Sequence, residues 1–261
     1  MFFGGPHCGK PEDTIILREG QLRAEINYLH DNPRRLAEKR ANPELFRRVA
    51  SVSLPLDGGR LIGRFEALGN LRLLERPLVQ VQCSRRYFAY RRIPKCGPKM
   101  AHHGTNHGTS GLKIVHDSAN NPIIEHASPE YEAIKEDVFA AATHGAVVIS
   151  PCISDGEREI AREAINRGFR LIAMRNMGFS PFQKPGGRFF DVCAQGRLLL
   201  LAPAAWPFST QEKEMTRNDA TALNRICQWF AGEDAVEINY HGMTPSNIDR
   251  LAEEAVLAII P

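Results

Sequence analysis

Tyr28 and Asn32 stand four residues apart in the stretch Gln21-Leu-Arg-Ala-Glu-Ile-Asn-Tyr-Leu-His-Asp-Asn-Pro-Arg-Arg-Leu36. That spacing puts a phenol and a carboxamide on one face of a helix. Arg34 and Arg35 follow, with Lys39 and Arg40 about one turn further on. A nucleophile, an oxygen ligand for a metal and a group of cations are a kit for attack on a phosphodiester. The same residues also suit an amphipathic helix whose tyrosine packs at a rim. Leu22, Ile26 and Leu29 recur at helical spacing between Gly20 and Pro33, which predicts about three turns. Asn32 precedes a proline, where helices usually end.

A second set of residues lies in the loop Ser150-Pro-Cys-Ile-Ser-Asp-Gly156-Glu157. Ala146–Ser150 before it predicts a buried strand, and Asp155–Arg167 after it an amphipathic helix. Such a loop sits at the carboxyl end of a strand and the start of a helix, where free N–H groups and the helix dipole favour an anion. Ser150, Cys152, Ser154, Asp155 and Gly156 suit a phosphate cradle, with Asp155 equally suited to capping. Lys184, Gly186, Gly187 and Arg188 belong to the next such loop and supply two cations. The alternative is a capped turn and an ordinary connection. Neither a GxGxxG nor a Walker A motif occurs, so no motif points to NAD or ATP.

The elements that must position these residues change in texture along the chain. Residues 51–83 are β-rich, with runs starting at Val52, Leu61, Leu71 and Val79 and a hairpin turn at Asp57-Gly58-Gly59. Residues 92–112 are rich in His, Gly and Pro and predict a linker. His102, His103 and His107 lie in it, but so flexible a tract does not preorganise a metal site. Lys113–His116 and Pro122–Glu125 predict two strands around Asn120-Asn121. From Ser128, apolar strands at Ala146–Ser150, Phe169–Met174 and Leu198–Ala202 alternate with helices, including Ser128–Thr143, Thr216–Ala231 and Thr244–Ile260. This alternation predicts an α/β fold: a C-terminal Rossmann-like parallel sheet flanked by helices, preceded by a smaller basic α+β segment. The expected divisions are 1–91, a linker over 92–112, and 113–261.

Composition sets the class. A hydrophobic content of 43% with 24% charged residues is that of a soluble globular protein. The longest apolar runs are too short for a membrane span. The beginning of the chain lacks signal-peptide character, and the six Cys show no paired spacing. These features place the protein in the cytoplasm with reduced thiols. Residues 1–100 carry 19 Lys+Arg against 10 Asp+Glu, a balance of +9. The remainder carries 14 against 20, a balance of −6, together the chain's +3. A polyanion is therefore expected to meet the front half.

The segment Tyr28-Leu-His-Asp-Asn32-Pro33-Arg34-Arg35 resembles the tyrosine helix of the REP-associated tyrosine transposases. These are single-strand DNA transposases of the HUH (His-hydrophobe-His) nuclease superfamily. Ala67-Leu-Gly-Asn70 and Ser84-Arg85-Arg86 resemble further segments of such proteins. The resemblance implies that Tyr28 is the nucleophile for a 5′-phosphotyrosine link. It also implies that Asn32 ligates Mg²⁺ or Mn²⁺, and that Arg34, Arg35, Lys39 and Arg40 meet single-stranded or hairpin DNA. The family's metal site also needs a His-hydrophobe-His pair before the helix, and only His7 stands there. The expectation is therefore a mobile-element protein that binds DNA, with strand cleavage impaired or absent. The region from Val147 resembles the Rossmann-like fold of DNA-processing protein A and the LOG phosphoribohydrolases. That likeness implies the alternative, a nucleotide-binding or nucleotide-hydrolysing enzyme using the 150–157 loop.

Overall fold

A computed structural model of the 261-residue chain describes residues 20–83, 88–92, 113–116, 122–211, 214–232 and 243–256. The chain divides into two compact units, residues 1–42 and 43–261. In the first, helix α1 spans Gln21–Ala41. It starts after Gly20, whose φ of 81° suits a glycine, and ends at Asn42. It does not stop at Pro33, where an end is expected, but runs through it. A proline removes one N–H donor and crowds the preceding turn without forcing a break. Lys39 and Arg40 in the last turn complement the negative end of the dipole.

The second unit is built on a six-stranded sheet in the order β1-β2-β9-β8-β7-β3. Its strands are β1 (Arg48–Leu56), β2 (Leu61–Gly69), β3 (Leu78–Gln80), β7 (Val147–Ser150), β8 (Leu171–Met174) and β9 (Leu198–Pro203). β3, β7, β8 and β9 are parallel neighbours, while β2 is antiparallel to both β9 and β1. Strands from the segment expected to stand apart thus share one sheet with those from the C-terminal segment. β4 (Phe88–Arg92), β5 (Lys113–His116) and β6 (Pro122–Ala127) form a separate three-stranded antiparallel sheet in the order β4-β6-β5. The linker expected over 92–112 lies outside the described residues apart from its first. The strand expected at Leu71 is a 3₁₀ turn over Leu71–Glu75, because the Asn70 side chain accepts the Arg72 N–H and caps it.

Helices α2 (Pro129–Thr143), α3 (Asp155–Asn166) and α4 (Arg188–Ala194) cover one face of the six-stranded sheet. Helices α5 (Arg217–Ala231) and α6 (Pro245–Val256) cover the other. The period-two alternation of the strands separates the cores. Val148, Leu171, Ala173, Leu198 and Leu200 meet α2–α4. Val147, Ile149, Ile172, Met174, Leu199 and Leu201 meet α5 and α6. The parallel strands are buried on both sides, as an α/β sheet requires. Stepping β7→α3→β8→α4→β9 in one direction along the sheet leaves the carboxyl ends of four parallel strands side by side. The starts of α3 and α5 lie at that same edge. Among the described residues, no helix is long and apolar enough to cross a membrane.

Candidate phosphate site at the carboxyl edge of the sheet

The start of α3 is fixed by a capping box. Ser154 Oγ accepts the Glu157 N–H (3.2 Å), and Glu157 Oε2 accepts the Ser154 N–H (3.1 Å). Glu157 does more than cap. Its Oε2 also accepts the Ile153 N–H (2.7 Å), and its Oε1 accepts the Cys83 N–H (3.2 Å) from the chain just beyond β3. The carboxylate, only 2% exposed, joins the ends of β3 and β7 by three backbone bonds. Burial pushes its pKa upward, against the pull of those bonds.

Before α3, Cys152 adopts a left-handed backbone with φ 51°, a conformation costing an L-residue roughly 1–2 kcal/mol. Ser150 Oγ holds that turn by accepting the Cys152 N–H at 3.0 Å. Burial pushes the Cys152 thiol up to about 11, so it is protonated at neutral pH and is not an activated nucleophile. The neighbouring Cys83 thiol is pushed to about 11 as well, by burial and then by Glu157.

The cradle expected from the sequence is thereby narrowed. The N–H groups of Cys152, Ile153 and Ser154 are all occupied within the chain. Those of Asp155 and Gly156, the first two of α3, donate to no protein acceptor among the described residues. Ser150 and Ser154 use their oxygens as acceptors, which leaves their hydroxyl protons free to donate. The Asp155 carboxylate pairs with Arg158 at 2.6 Å.

The residue that completes this edge is Arg175, at the end of β8. Ser150 of β7 pairs in register with Ala173 of β8. Alternation puts Ala173 and Arg175 on the α3 face. The guanidinium lies over the Phe179 ring, 5.1 Å from its centre. No carboxylate pairs with it among the described residues, and burial lowers its pKa. A partly buried, unpaired cation is destabilising by itself and is eased by an anion. Arg48 is the counterexample: it bonds Glu66 Oε2 at 3.1 Å. Glu66 Oε2 also accepts the Phe179 N–H (2.9 Å), which ties the loop after β8 to β2. Gly178 suits this close approach, because a Cβ would lie 3.0 Å from both Glu66 oxygens and from the Phe208 nitrogen.

Lys184, Gly186 and Gly187 are not gathered with this set. Lys184 and Gly186 are exposed, and Gly187 is the cap of α4. The next residue, Arg188, bonds Asn166 Oδ1 (3.2 Å) at the far end of α3. That is about 16 Å along the helix from Asp155 at 1.5 Å per residue. Arg175 is the functional candidate that sequence reading missed. Its signal was a single cation directly after the apolar strand Leu171–Met174.

In the other unit, Tyr28 is 48% exposed and Asn32 is also exposed. Arg34 Nε donates to Asp31 Oδ1 (2.7 Å) and Arg35 Nε to Asp31 Oδ2. These bonds, from Arg34 first and then Arg35, hold the Asp31 carboxyl down to about 2. Lys39 is half-buried and Arg40 exposed. Among the described residues, no three His, Cys, Asp or Glu stand together to hold a metal, so Asn32 has no partner ligands there. His7, His102, His103 and His107 lie outside the described residues. Comparison with protein-family models, with curated proteins and with solved structures finds no match to this chain.

Proposed function

We propose that this chain binds a phosphate-bearing ligand, a nucleotide or the backbone of a nucleic acid, at the carboxyl edge of its parallel sheet. Arg175 carries the reading: a partly buried guanidinium that no carboxylate among the described residues pairs with, beside a loop that opens into a helix start. The N–H groups of Asp155 and Gly156 donate to the phosphate oxygens, the hydroxyls of Ser150 and Ser154 add donors, and Arg175 neutralises the charge. The activity is binding. Glu157 is held by three N–H groups and the nearby thiols are protonated, so neither acts as a base or nucleophile for hydrolysis. Thermal shift with nucleoside monophosphates and inorganic phosphate tests this. A ligand that binds only the folded state raises the midpoint, and Arg175→Gln removes the rise. A flat response across the set would refute the reading.

A second reading rests on a separate observation. α1 displays Tyr28, Asn32 and Arg40 to solvent. It is proposed as a DNA-contacting element of a mobile-element protein, without strand cleavage of its own. Binding of a labelled single-stranded or hairpin oligonucleotide that weakens steeply with salt supports it. Salt-independent binding, or none, counts against it.

A further inference from the structure

The loop that follows Arg175 carries an aromatic side chain held in water. Ser180-Pro181-Phe182-Gln183 forms a β-turn, closed by the Gln183 N–H donating to Ser180 O (2.9 Å), with proline at a position that favours its fixed φ. The Gln183 side chain closes the turn again, its Oε1 accepting the Ser180 N–H at 3.3 Å. Phe182, at the tip, is 88% exposed, the most exposed large apolar side chain of the described residues. The base of the loop is fixed as well. Phe179 is fully buried with its N–H bonded to Glu66, and the Gly178 N–H donates to Trp206 O (2.7 Å). That last bond ties the loop to the one after β9, where Phe208 is 39% exposed and its nitrogen lies close to Gly178. A single surface phenylalanine needs no explanation. Two of them, on two bonded loops at the edge that carries Arg175, do. Arg175, Phe182 and Phe208 all belong to the unit 43–261, so their juxtaposition is internal to it.

We infer that the phosphate held at this edge is joined to a nucleobase, which stacks on Phe182 with Phe208 beside it. The inference rests on the phosphate site proposed above and names its ligand class: a nucleotide, free or as one unit of a single strand. The Arg175 guanidinium lies 5.1 Å from the centre of the Phe179 ring. Phe182 is three residues further on, so its Cα lies within about 11 Å of that of Phe179. The exposed ring is therefore within reach of a ligand whose phosphate sits at Arg175. Donors and a cation for the phosphate, next to aromatic faces in water, form the combination that holds nucleotides, because every base has a π-face. A sugar phosphate offers the rings nothing to stack on, and an apolar protein segment offers Arg175 no anion. The double closure of the turn keeps Phe182 in place before the ligand arrives, so little order is lost on binding.

Calorimetric titration of AMP and of ribose 5-phosphate into the full chain tests the inference, since the two ligands share a phosphate and differ by the base. AMP should bind roughly 5- to 150-fold more tightly, the range of one base–aromatic stack. Phe182→Ala should lose most of that ratio, and adding Phe208→Ala the rest, while ribose 5-phosphate binds as before. In Phe182→Trp, AMP should quench fluorescence beyond any change seen in the wild type, and ribose 5-phosphate should not. A single-stranded tetranucleotide that binds more tightly than AMP, and depends on Phe182 in the same way, assigns the base to a strand; tighter binding of AMP assigns it to a free nucleotide. Equal affinity for AMP and ribose 5-phosphate overturns the inference and leaves phosphate binding standing. So does an AMP affinity untouched by the double substitution. Binding of neither ligand overturns the phosphate site and the stacking together.

Discussion

Two carboxylates in this molecule gather their partners in opposite ways. Asp31, on exposed α1, collects the side chains of Arg34 and Arg35. Glu157, in the core, collects the backbone N–H groups of Cys83, Ile153 and Ser154. The first offsets cations that make the front of the chain look basic. The second fills much of a loop that looks ready for phosphate. At the sheet edge no acid among the described residues pairs with Arg175, whereas Arg34 and Arg35 of α1 are both engaged by Asp31. Local charge density in a sequence is therefore a poor guide to charge that a ligand can use.

The comparison is most severely tested at Glu157. Glu157→Ala leaves three donors unsatisfied at the joint between β3 and β7, and is expected to cost about 3 kcal/mol or more in a denaturant titration. A loss below about 1 kcal/mol would mean that water replaces the carboxylate and that it is no clamp. Next comes Gly178→Ala. Its methyl would press on Glu66 oxygens held by Arg48 and by the Phe179 N–H, so overpacking of about 1–3 kcal/mol is expected. At Arg175 the expected sign reverses. Arg175→Met replaces the guanidinium over Phe179 by a thioether, which also packs on aromatic rings, and removes a partly buried charge, so the free protein is as stable as before or more stable while nucleotide binding is lost.

The two carboxylates also differ in pH dependence. Glu157 has a folded pKa above its ordinary 4.5. Its contribution is fully present below 4.5 and is withdrawn as pH rises through the folded value. Asp31 is held at about 2 against an ordinary 3.8, so its contribution is present above 3.8 and is lost as pH falls through about 2. Denaturation midpoints of the wild type and Glu157→Gln, measured against pH, should show the first dependence only in the wild type. The smallest effect concerns α1. Asp31→Asn removes the negative charge beside Arg34 and Arg35, so affinity for single-stranded DNA and its salt dependence should both rise, with the thermal midpoint unmoved. Unchanged binding would separate α1 from DNA recognition.

Much of this fold was legible in the residues, because local rules and tertiary structure agree along most of the C-terminal region. Ser128-Pro129-Glu130 announces α2, and its Ser128 side chain does accept the Tyr131 N–H. Ser154 and Glu157 are spaced for a capping box and form one. The apolar runs at Val147, Leu171 and Leu198 are the buried parallel strands. The rules failed where a competing local contact won. Leu71–Leu74 has strand composition, yet Asn70 caps it into a turn and also bonds Gly196 O. Pro33 has the mark of a helix end and is absorbed within α1. The pairing of β2 with β9 joins residues 130 to 138 positions apart, which no periodicity reveals. In the candidate site, Ser150 through Gly156 were readable as a βα turn. The capture of its N–H groups by Glu157 was not, since it depends on a buried carboxylate reaching back to Cys83. Nor was the lack of an acid beside Arg175 among the described residues, which depends on placement in space.

Calorimetric titration of a nucleoside monophosphate into wild-type protein and Arg175→Met tests phosphate binding at Arg175 most directly. Saturable binding to the wild type, absent from an Arg175→Met protein of undiminished thermal stability, is the expected result. Equal binding to both proteins, or none to either, would contradict it.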